Sequence, residues 1–440
     1  MVQSLKKKIS VIGAGQGGLR AAALLAAGGE DVTVFEKENE ETLGIDWFDG
    51  VETKLFTDLG IEVPKSSFKG FSPSFIGPGS DKLLYLQGKP EDADWSVNRR
   101  DFSRQLVAEA RGKGAKFRFG TAVERLIAEN GTVKGIAVNG EMLASDLVID
   151  SSGMFSPFRA SLAIRMGMTA QPDEGDTFNV YRCICSQTEN FPELPANEKF
   201  KMYLKFQNRS SISWCGVEPS GELNVLVGKV GRMDENERKE LLSLLKAENP
   251  IIGEVIGDRQ ARASIPVRRP LAQFVCNGYA AVGDAAFMTI PVIGNGIANS
   301  IRAGQMLAET VLEEKSASAE ALWKYQVKYY RSIGAVCYLL DWIKRGLLAS
   351  DNAQLKGFLE SGAVTDEDIR SILFGEGLHL TPKQWADKLG KIAASRGLFG
   401  VLLKHALQGV RAMLAACAIP PAYDPLKIGK WKEKTDALMR

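Results

Sequence analysis

The chain of 440 residues contains only two histidines, His379 and His405, both near its C-terminal end. A His-dependent triad or a His-rich metal site in the first 378 residues is therefore excluded. None of the six cysteines (Cys183, Cys185, Cys215, Cys276, Cys337, Cys417) forms a C-x-x-C pair, so zinc-ribbon and iron–sulfur spacings are absent and no metal is expected. Cys183 and Cys185, two apart, share one face of a strand and read as buried small hydrophobes rather than a redox pair. Met1 to Ile12 carries a short basic run without the apolar stretch of a secretory signal, and no window of ~18 uncharged apolar residues follows, so a cytoplasmic location is expected. The net charge of +2 provides no field for a nucleic-acid backbone, and no nucleic-acid partner is expected. Internal repeats and low-complexity segments are missing as well.

What is present is a globular composition, 45% apolar and 25% charged, over a length that suits two or three domains. Glycine is in excess at 44 residues, a hint of backbone in close contact with something. The apolar run Lys8-Ile9-Ser10-Val11-Ile12 meets Gly13-Ala14-Gly15-Gln16-Gly17-Gly18, then a Leu/Ala-rich helical stretch to Ala27, then Val32-Thr33-Val34-Phe35-Glu36. This order of strand, glycine turn, helix, strand and acid is a dinucleotide-binding βαβ unit. Gly13 permits the tight turn, Gly15 lets backbone approach a pyrophosphate, and Gly18 lets the helix pack on the strand. Glu36 is placed to accept hydrogen bonds from a ribose, with Lys37 beside it.

A second signature lies about 270 residues on. Tyr279-Ala280-Ala281-Val282-Gly283-Asp284-Ala285-Ala286 reads as a strand ending on an acid, followed by Pro291-Val292-Ile293-Gly294-Asn295-Gly296-Ile297 and a helix to Glu313. A carboxylate at a strand end can accept bonds from ribityl hydroxyls. The Gly294–Gly296 turn brings a positive helix N-terminus toward a flavin ring. Between the two signatures, Asp146 to Asp150 is a buried strand running into Ser151-Ser152-Gly153, and Asn98-Arg99-Arg100-Asp101-Phe102 opens a helix that offers a cation. The solvated-charge reading of Arg99 and Arg100, and the reading of Asp284 as a helix-capping acid, remain open alternatives.

Together these residues resemble the glutathione-reductase-type FAD-binding fold, in the branch shared by aromatic hydroxylases, flavin halogenases and geranylgeranyl reductases, over roughly residues 5–315. The resemblance implies FAD as cofactor, with Gly13, Gly15, Gly18, Glu36, Lys37, Arg99, Val123, Gly153, Asp284, Gly294, Gly296 and Ile297 as its contacts. Ser152-Gly153 stands where hydroxylases usually carry Asp-Gly, and Phe287 where they carry His. Ala303-Gly304 and Asp150-Ser151-Ser152-Gly153 are closer to the reductase branch. In many archaeal members of that branch a cysteine-bearing stretch follows the first βαβ unit. Here Asp46-Trp47-Phe48-Asp49-Gly50 occupies the place, so Trp47 replaces the cysteine, and the tryptophan-rich motif of the substrate sheet survives as Trp214-Cys215-Gly216-Val217-Glu218-Pro219.

The expected fold class is α/β: a Rossmann-like FAD-binding domain (5–50, 97–165 and 265–315), an inserted antiparallel-sheet substrate domain (51–96 and 166–264) and a helical C-terminal region (320–440). Strands are expected at Thr177–Ser186, Lys199–Phe206, Ser211–Glu218 and Glu222–Gly228. In Leu398–Ile419 apolar residues fall at Phe399, Leu403, Ala406, Val410, Met413 and Cys417, a helix that either packs on its own protein or lies against a membrane or lipid. No second complete glycine fingerprint exists, so electrons would come from transiently bound NAD(P)H or from a reductase or ferredoxin. The favoured activity is reduction of a C=C bond in an apolar or lipid, isoprenoid-like substrate. Trp47, Asp46 and Pro291 are expected near the flavin, and Tyr203, Cys215, Asp46, Asp49 or water could donate the proton. A flavin monooxygenase and a non-catalytic flavoprotein are the alternatives.

Overall fold

The structure is a computed structural model that describes residues 6–70, 74–77, 83–85, 94–166, 172–189, 191–195, 198–292, 294–363, 365, 368, 381–394 and 401–440. Ile293, His379 and Phe399, singled out above, lie outside these residues. A six-stranded sheet runs in the order Val275–Cys276, Tyr279–Ala281, Leu147–Asp150, Lys8–Ile12, Asp31–Phe35, Lys116–Arg118. All of its pairings are parallel except the hairpin at Val275–Cys276. Its central strands are continuous apolar runs because both faces are covered, as a parallel sheet requires. The helix Gln16–Ala27 packs on it, and Ile297–Glu314 crosses that helix where two glycines meet: a Cβ on Gly304 would lie 2.0 Å from the Gly17 carbonyl oxygen.

A seven-stranded sheet stands over this unit in the order Ile252–Pro266, Thr177–Gln187, Leu223–Val230, Ser211–Val217, Phe200–Leu204, Ser74–Ile76, Leu83–Tyr85. Four of these strands match the expected ones to within two residues at each end. The fifteen-residue strand Ile252–Pro266 was not anticipated, nor was the antiparallel meander Val123–Glu129, Thr132–Val138, Glu141–Ala144. Alternation along the strands divides the large sheet's side chains between two faces. Tyr181, Cys183, Cys185, Cys215 and Val225 form a core with the helix Glu235–Glu248, whereas Phe178, Val180, Leu226 and Trp214 pack together on the opposite face.

From Ala319 onward the described chain is helical: Ala319–Tyr329, Val336–Ala349, Asn352–Glu360, Pro382–Ala394, Val401–Cys417 and Pro425–Ala437. Among the described residues no helix is long and apolar enough to cross a membrane. In Val401–Cys417 the buried row is Leu402, Gly409, Ala412, Ala415 and Ala416, not the expected Leu403–Cys417 row. Small residues face Val336–Ala349, where a Cβ on Gly409 would sit 2.8 Å from Leu339 Cδ1. Close helix approach, rather than bulk hydrophobicity, selects the packed face.

The Gly17–Gly304 crossing should tolerate no added methyl. Gly304→Ala is expected to lower unfolding free energy by about 1–3 kcal/mol in urea denaturation, and an unchanged midpoint would show that the two helices separate freely.

Candidate functional site

The first strand and Leu147–Asp150 are neighbours in the parallel sheet, yet their other partners, Asp31–Phe35 and Tyr279–Ala281, lie on opposite sides, a change of strand order that opens a crevice at their C-terminal ends. The glycine turn sits there. Gly13 has φ +87°, and a Cβ on it would lie 2.6 Å from the Ser151 carbonyl oxygen. Gly15 and Gly18 also press on Ser151, with would-be Cβ distances of 2.4 Å to Oγ and 2.6 Å to Cβ. The Gly15 hydrogen is thus directed at Ser151 and not into open space, while its backbone begins the helix at Gln16. Ser151 Oγ also accepts a hydrogen bond from Gly18 N–H at 3.2 Å.

A cavity of about 800 Å³ extends from this crevice, within the size range of small-molecule sites. Gly13, Glu36, Lys37, Val123, Gly153 and Asp284, all expected contacts, line it together. The Glu36 carboxylate is fixed by the amides of Ala14 (2.7 Å) and Glu38 (2.9 Å), which leaves lone pairs on both oxygens. Gly153 has φ +92° and space around its missing Cβ. Across the cavity Val180, Ala263 and Ser264 come from the large sheet. Thr121, Asn179 and Ser264 were not anticipated, since nothing in their local sequence marks them.

Asp284 ends the second signature and accepts a hydrogen bond from Thr289 Oγ1 at 2.7 Å. Burial pushes its carboxyl above the usual range, against the opposing pull of Thr289 and Arg99. A Cβ on Gly296 would meet Thr289 Oγ1 at 2.6 Å and Asp284 Oδ1 at 3.4 Å, so the glycine turn lies against the acid. Ile297 is the first residue of the following helix, and Asn299 in its first turn keeps a buried, unpartnered amide nitrogen. Gly294 has φ +70° and abuts Ile265 of the large sheet, while Pro291 is buried. An acid, an unspent amide and a free helix N-terminus at one end, with Glu36 at the other, fit a flavin dinucleotide.

Arg182 ties the seven-stranded sheet to Trp47 and the short strand Phe48–Val51 that follows it. Its guanidinium lies 4.6 Å from the Trp47 ring and 5.5 Å from Trp214, and it donates to Asp49 Oδ1 (2.5 Å), Asn224 Oδ1 (2.7 Å) and the Phe48 carbonyl. Asp49 also pairs with Arg99 at 3.5 Å and accepts from Trp47 Nε1 at 3.2 Å. Burial opposes its charge, but Arg182 and Arg99 overcome that and hold the carboxyl below its ordinary value. Trp47 is therefore buried against Arg182 and is not among the cavity-lining residues. Asp46 accepts from Asn98 Nδ2 at 2.8 Å and lies 3.8 Å from Arg259.

The expected proton donors separate by face. Tyr203 bonds Asn249 at 3.0 Å, and Cys215 is buried in the core behind the sheet; desolvation pushes both groups up to about 12. Asp49 is held ionised. Glu218, which had not been singled out, accepts from Asn224 Nδ2 at 2.9 Å on the Arg182 side, and burial raises its carboxyl above the usual value. Its even spacing from Trp214 was the available signal, because residues two apart share a strand face.

Residues 11–73 match the family model of an NAD(P)-binding Rossmann-like domain. The chain is similar to a digeranylgeranylglycerophospholipid reductase of Methanothrix thermoacetophila, at 26% identity over 83% of this chain and 94% of the relative. The reductase of that name from Methanoculleus marisnigri is 25% identical over 80% and 89%. In fold the chain is similar to a geranylgeranyl bacteriochlorophyll reductase-like protein from Thermoplasma acidophilum, with a TM-score of 0.75 and 20% identity over 89% of this chain and 99% of the other. A flavin-dependent brominase shares the fold at a TM-score of 0.63 and 15% identity, over 88% and 98%.

Removing Asp49 would leave Arg182 buried without its charge partner. Asp49→Asn is expected to cost about 2–4 kcal/mol of stability at pH 7, below the full value for a sealed pair because Asp49 is partly exposed. Because the folded-state pKa is depressed, wild type should lose this advantage as pH falls below about 4, through the unfolded value toward the folded one. A constant difference between the two proteins from pH 7 to pH 3 in denaturation curves would refute the charge argument.

Proposed function

We propose that the chain is an FAD-dependent oxidoreductase that reduces a C=C bond of an apolar, isoprenoid-like substrate. The single observation that carries this reading is one cavity running from Glu36 to Asp284 beneath the large sheet at Val180 and Ala263. The named relatives support the reductase choice. In this reading the chain divides into a discontinuous nucleotide unit, a sheet that covers the substrate and a helical C-terminal region.

Glu36 accepts from the ribose hydroxyls, with Lys37, Val123 and Gly153 beside the adenosine. Gly13, Gly15 and Gly18 present the turn and helix start to the pyrophosphate, and Arg99 supplies a cation. Asp284 would accept from the ribityl hydroxyls, and the turn through Gly294 and Gly296 would turn the Ile297 helix N-terminus toward the ring, where it would favour negative charge. FAD held there, once reduced, would supply the hydride that goes to one carbon of the double bond. Pro291, Asp46 and Trp47 lie outside the cavity lining and would act on the flavin's surroundings from behind it, Trp47 through its stack on Arg182.

The other carbon needs a proton, and on the Arg182 face of the sheet Glu218 is the carboxyl whose charge burial opposes, so it would supply that proton. Burial keeps its carboxyl protonated to higher pH than an exposed glutamate, and Asn224 fixes its orientation. Electrons arrive from NAD(P)H or from a reductase or ferredoxin, and a lipid-borne substrate implies contact with a membrane surface. At the place of the hydroxylases' histidine, Phe287 is held between Arg159 and Arg268, with ring distances of 4.4 and 4.8 Å. This position offers no titratable group for oxygen chemistry.

The purified protein should be yellow. After anaerobic reduction with dithionite, an unsaturated isoprenoid should reoxidise the flavin without oxygen. Reoxidation that requires O2 in step with substrate would establish a monooxygenase instead.

Asp284→Ala should retain less FAD; a fully loaded variant would remove the ribityl contact. Glu218→Gln should keep its flavin and slow reoxidation by roughly 10²–10⁴-fold, whereas an unchanged rate and pH profile would dismiss Glu218 as the acid.

A further inference from the structure

Among the described residues, three of the five most exposed large apolar side chains belong to the last two helices: Leu407 at 51%, Leu414 at 61% and Leu426 at 80%. On Val401–Cys417, residues 403, 407, 410, 414 and 417 form one stripe at helical spacing. Leu403 and Val410 are half-buried in it, and Cys417 is exposed. The stripe does not end with the helix. Ala418, Pro421, Ala422, Pro425 and Leu426 are exposed in turn, so the apolar surface continues around the connection into Pro425–Ala437.

The connection is rigidly held from behind. Trp323 Nε1 donates to the Pro420 carbonyl at 2.8 Å, Trp431 Nε1 to Ala415 at 2.9 Å, and Asp424 caps the last helix through the amides of Leu426 and Lys427. An exposed apolar tip on a fixed scaffold differs from a loose terminus, because no ordering cost is left to oppose its burial.

The charges around it have one dominant sign. Lys404 and Arg411 are exposed on a helix that carries no acid, and Lys427, Lys430 and Lys434 are exposed on the next. Residues 401–440 hold seven Lys or Arg against three Asp or Glu, in a chain whose net charge is only +2. Apolar residues at a tip with cations around it match the two layers of a lipid surface, acyl chains beneath anionic headgroups.

We infer that the connection between the last two helices, with Leu407, Leu414 and Leu426 as its apolar contacts and Lys404, Arg411, Lys427 and Lys430 as its cationic rim, docks the protein on an anionic bilayer. The inference rests on the reading of a lipid-borne substrate for its purpose. Its test needs neither flavin nor turnover, so either can fail without the other. Docking would let an apolar substrate pass between bilayer and protein without crossing water.

The test is cosedimentation of the full chain with vesicles of phosphatidylcholine alone and of phosphatidylcholine with 30% phosphatidylglycerol. Wild type should pellet with the anionic vesicles and much less with the neutral ones, and should be released as salt rises from 0.1 to 0.5 M. Leu414→Asp/Leu426→Asp should reduce binding at least about tenfold with an unchanged circular dichroism spectrum and flavin content. Lys404→Ala/Arg411→Ala, which leaves the apolar tip intact, should weaken binding to anionic vesicles alone. Wild type that stays in solution with both vesicle types, or leucine variants that bind as wild type does, would overturn the inference. So would light scattering that shows a dimer split by Leu414→Asp, since the face would then belong to a second copy.

Discussion

A guanidinium held between two indoles fastens the sheet to the nucleotide unit. Arg182 belongs to the large sheet, Trp47 and Asp49 to the segment after the first βαβ unit, and Trp214 and Asn224 to neighbouring strands of the sheet. Arginine suits this place because its flat, weakly hydrated cation can stack on aromatic faces and donate in its own plane at once. Asp49 extends the contact to Arg99, whose charge pulls on the Asp284 carboxyl. A chain of alternating charge thus runs from the sheet to the acid that ends the second signature. Arg182 shares its strand with Asn179 and Val180, which line the cavity, so the contact holds the cavity wall without touching what the cavity contains.

The nucleotide unit was legible because its signals are local: apolar run, glycine turn, Leu/Ala helix and terminal acid occur in one stretch of sequence. Four strands of the large sheet were legible for the same reason. The strand Ile252–Pro266 escaped notice because it is half-exposed, with Glu254, Asp258, Arg259 and Arg262 breaking the apolar alternation. Long-range partners were out of reach. Nothing near Trp47 announces that Arg182 will cover it, and nothing near Ser151 announces that three glycines will close on it. Strand parity, however, separates Tyr203 and Cys215, on one face of the sheet, from Trp214 and Glu218 on the other. On the helix Val401–Cys417, hydrophobicity marked the wrong row, since close packing favoured glycine and alanine over leucine.

Departures from the hydroxylase pattern acquire physical reasons in the fold. Asp150 is fully buried and accepts from Ser152 N–H (3.0 Å), Ser152 Oγ (2.6 Å), Ser156 Oγ (2.5 Å) and Tyr279 Oη (2.7 Å). An aspartate at position 152 would replace one of these donors with a second carboxylate facing the first, which like-charge repulsion opposes. Phe287 adopts a left-handed conformation, φ +57°, and fills the space between two buried arginines. Both positions are thus tied to their neighbours, and neither is an isolated substitution.

The strand order also bears on how the polypeptide is made. Lys8–Ile12 pairs with Leu147–Asp150, which pairs in turn with Tyr279–Ala281. The strand Lys8–Ile12 therefore has no complete sheet to join until some 270 further residues have followed it. At the ~5–20 residues per second of protein synthesis, that wait is on the order of tens of seconds. During it the growing sheet has an open edge, first along Lys8–Ile12 and then along Leu147–Asp150, and nascent chains that stall before Tyr279 should be clients for chaperones.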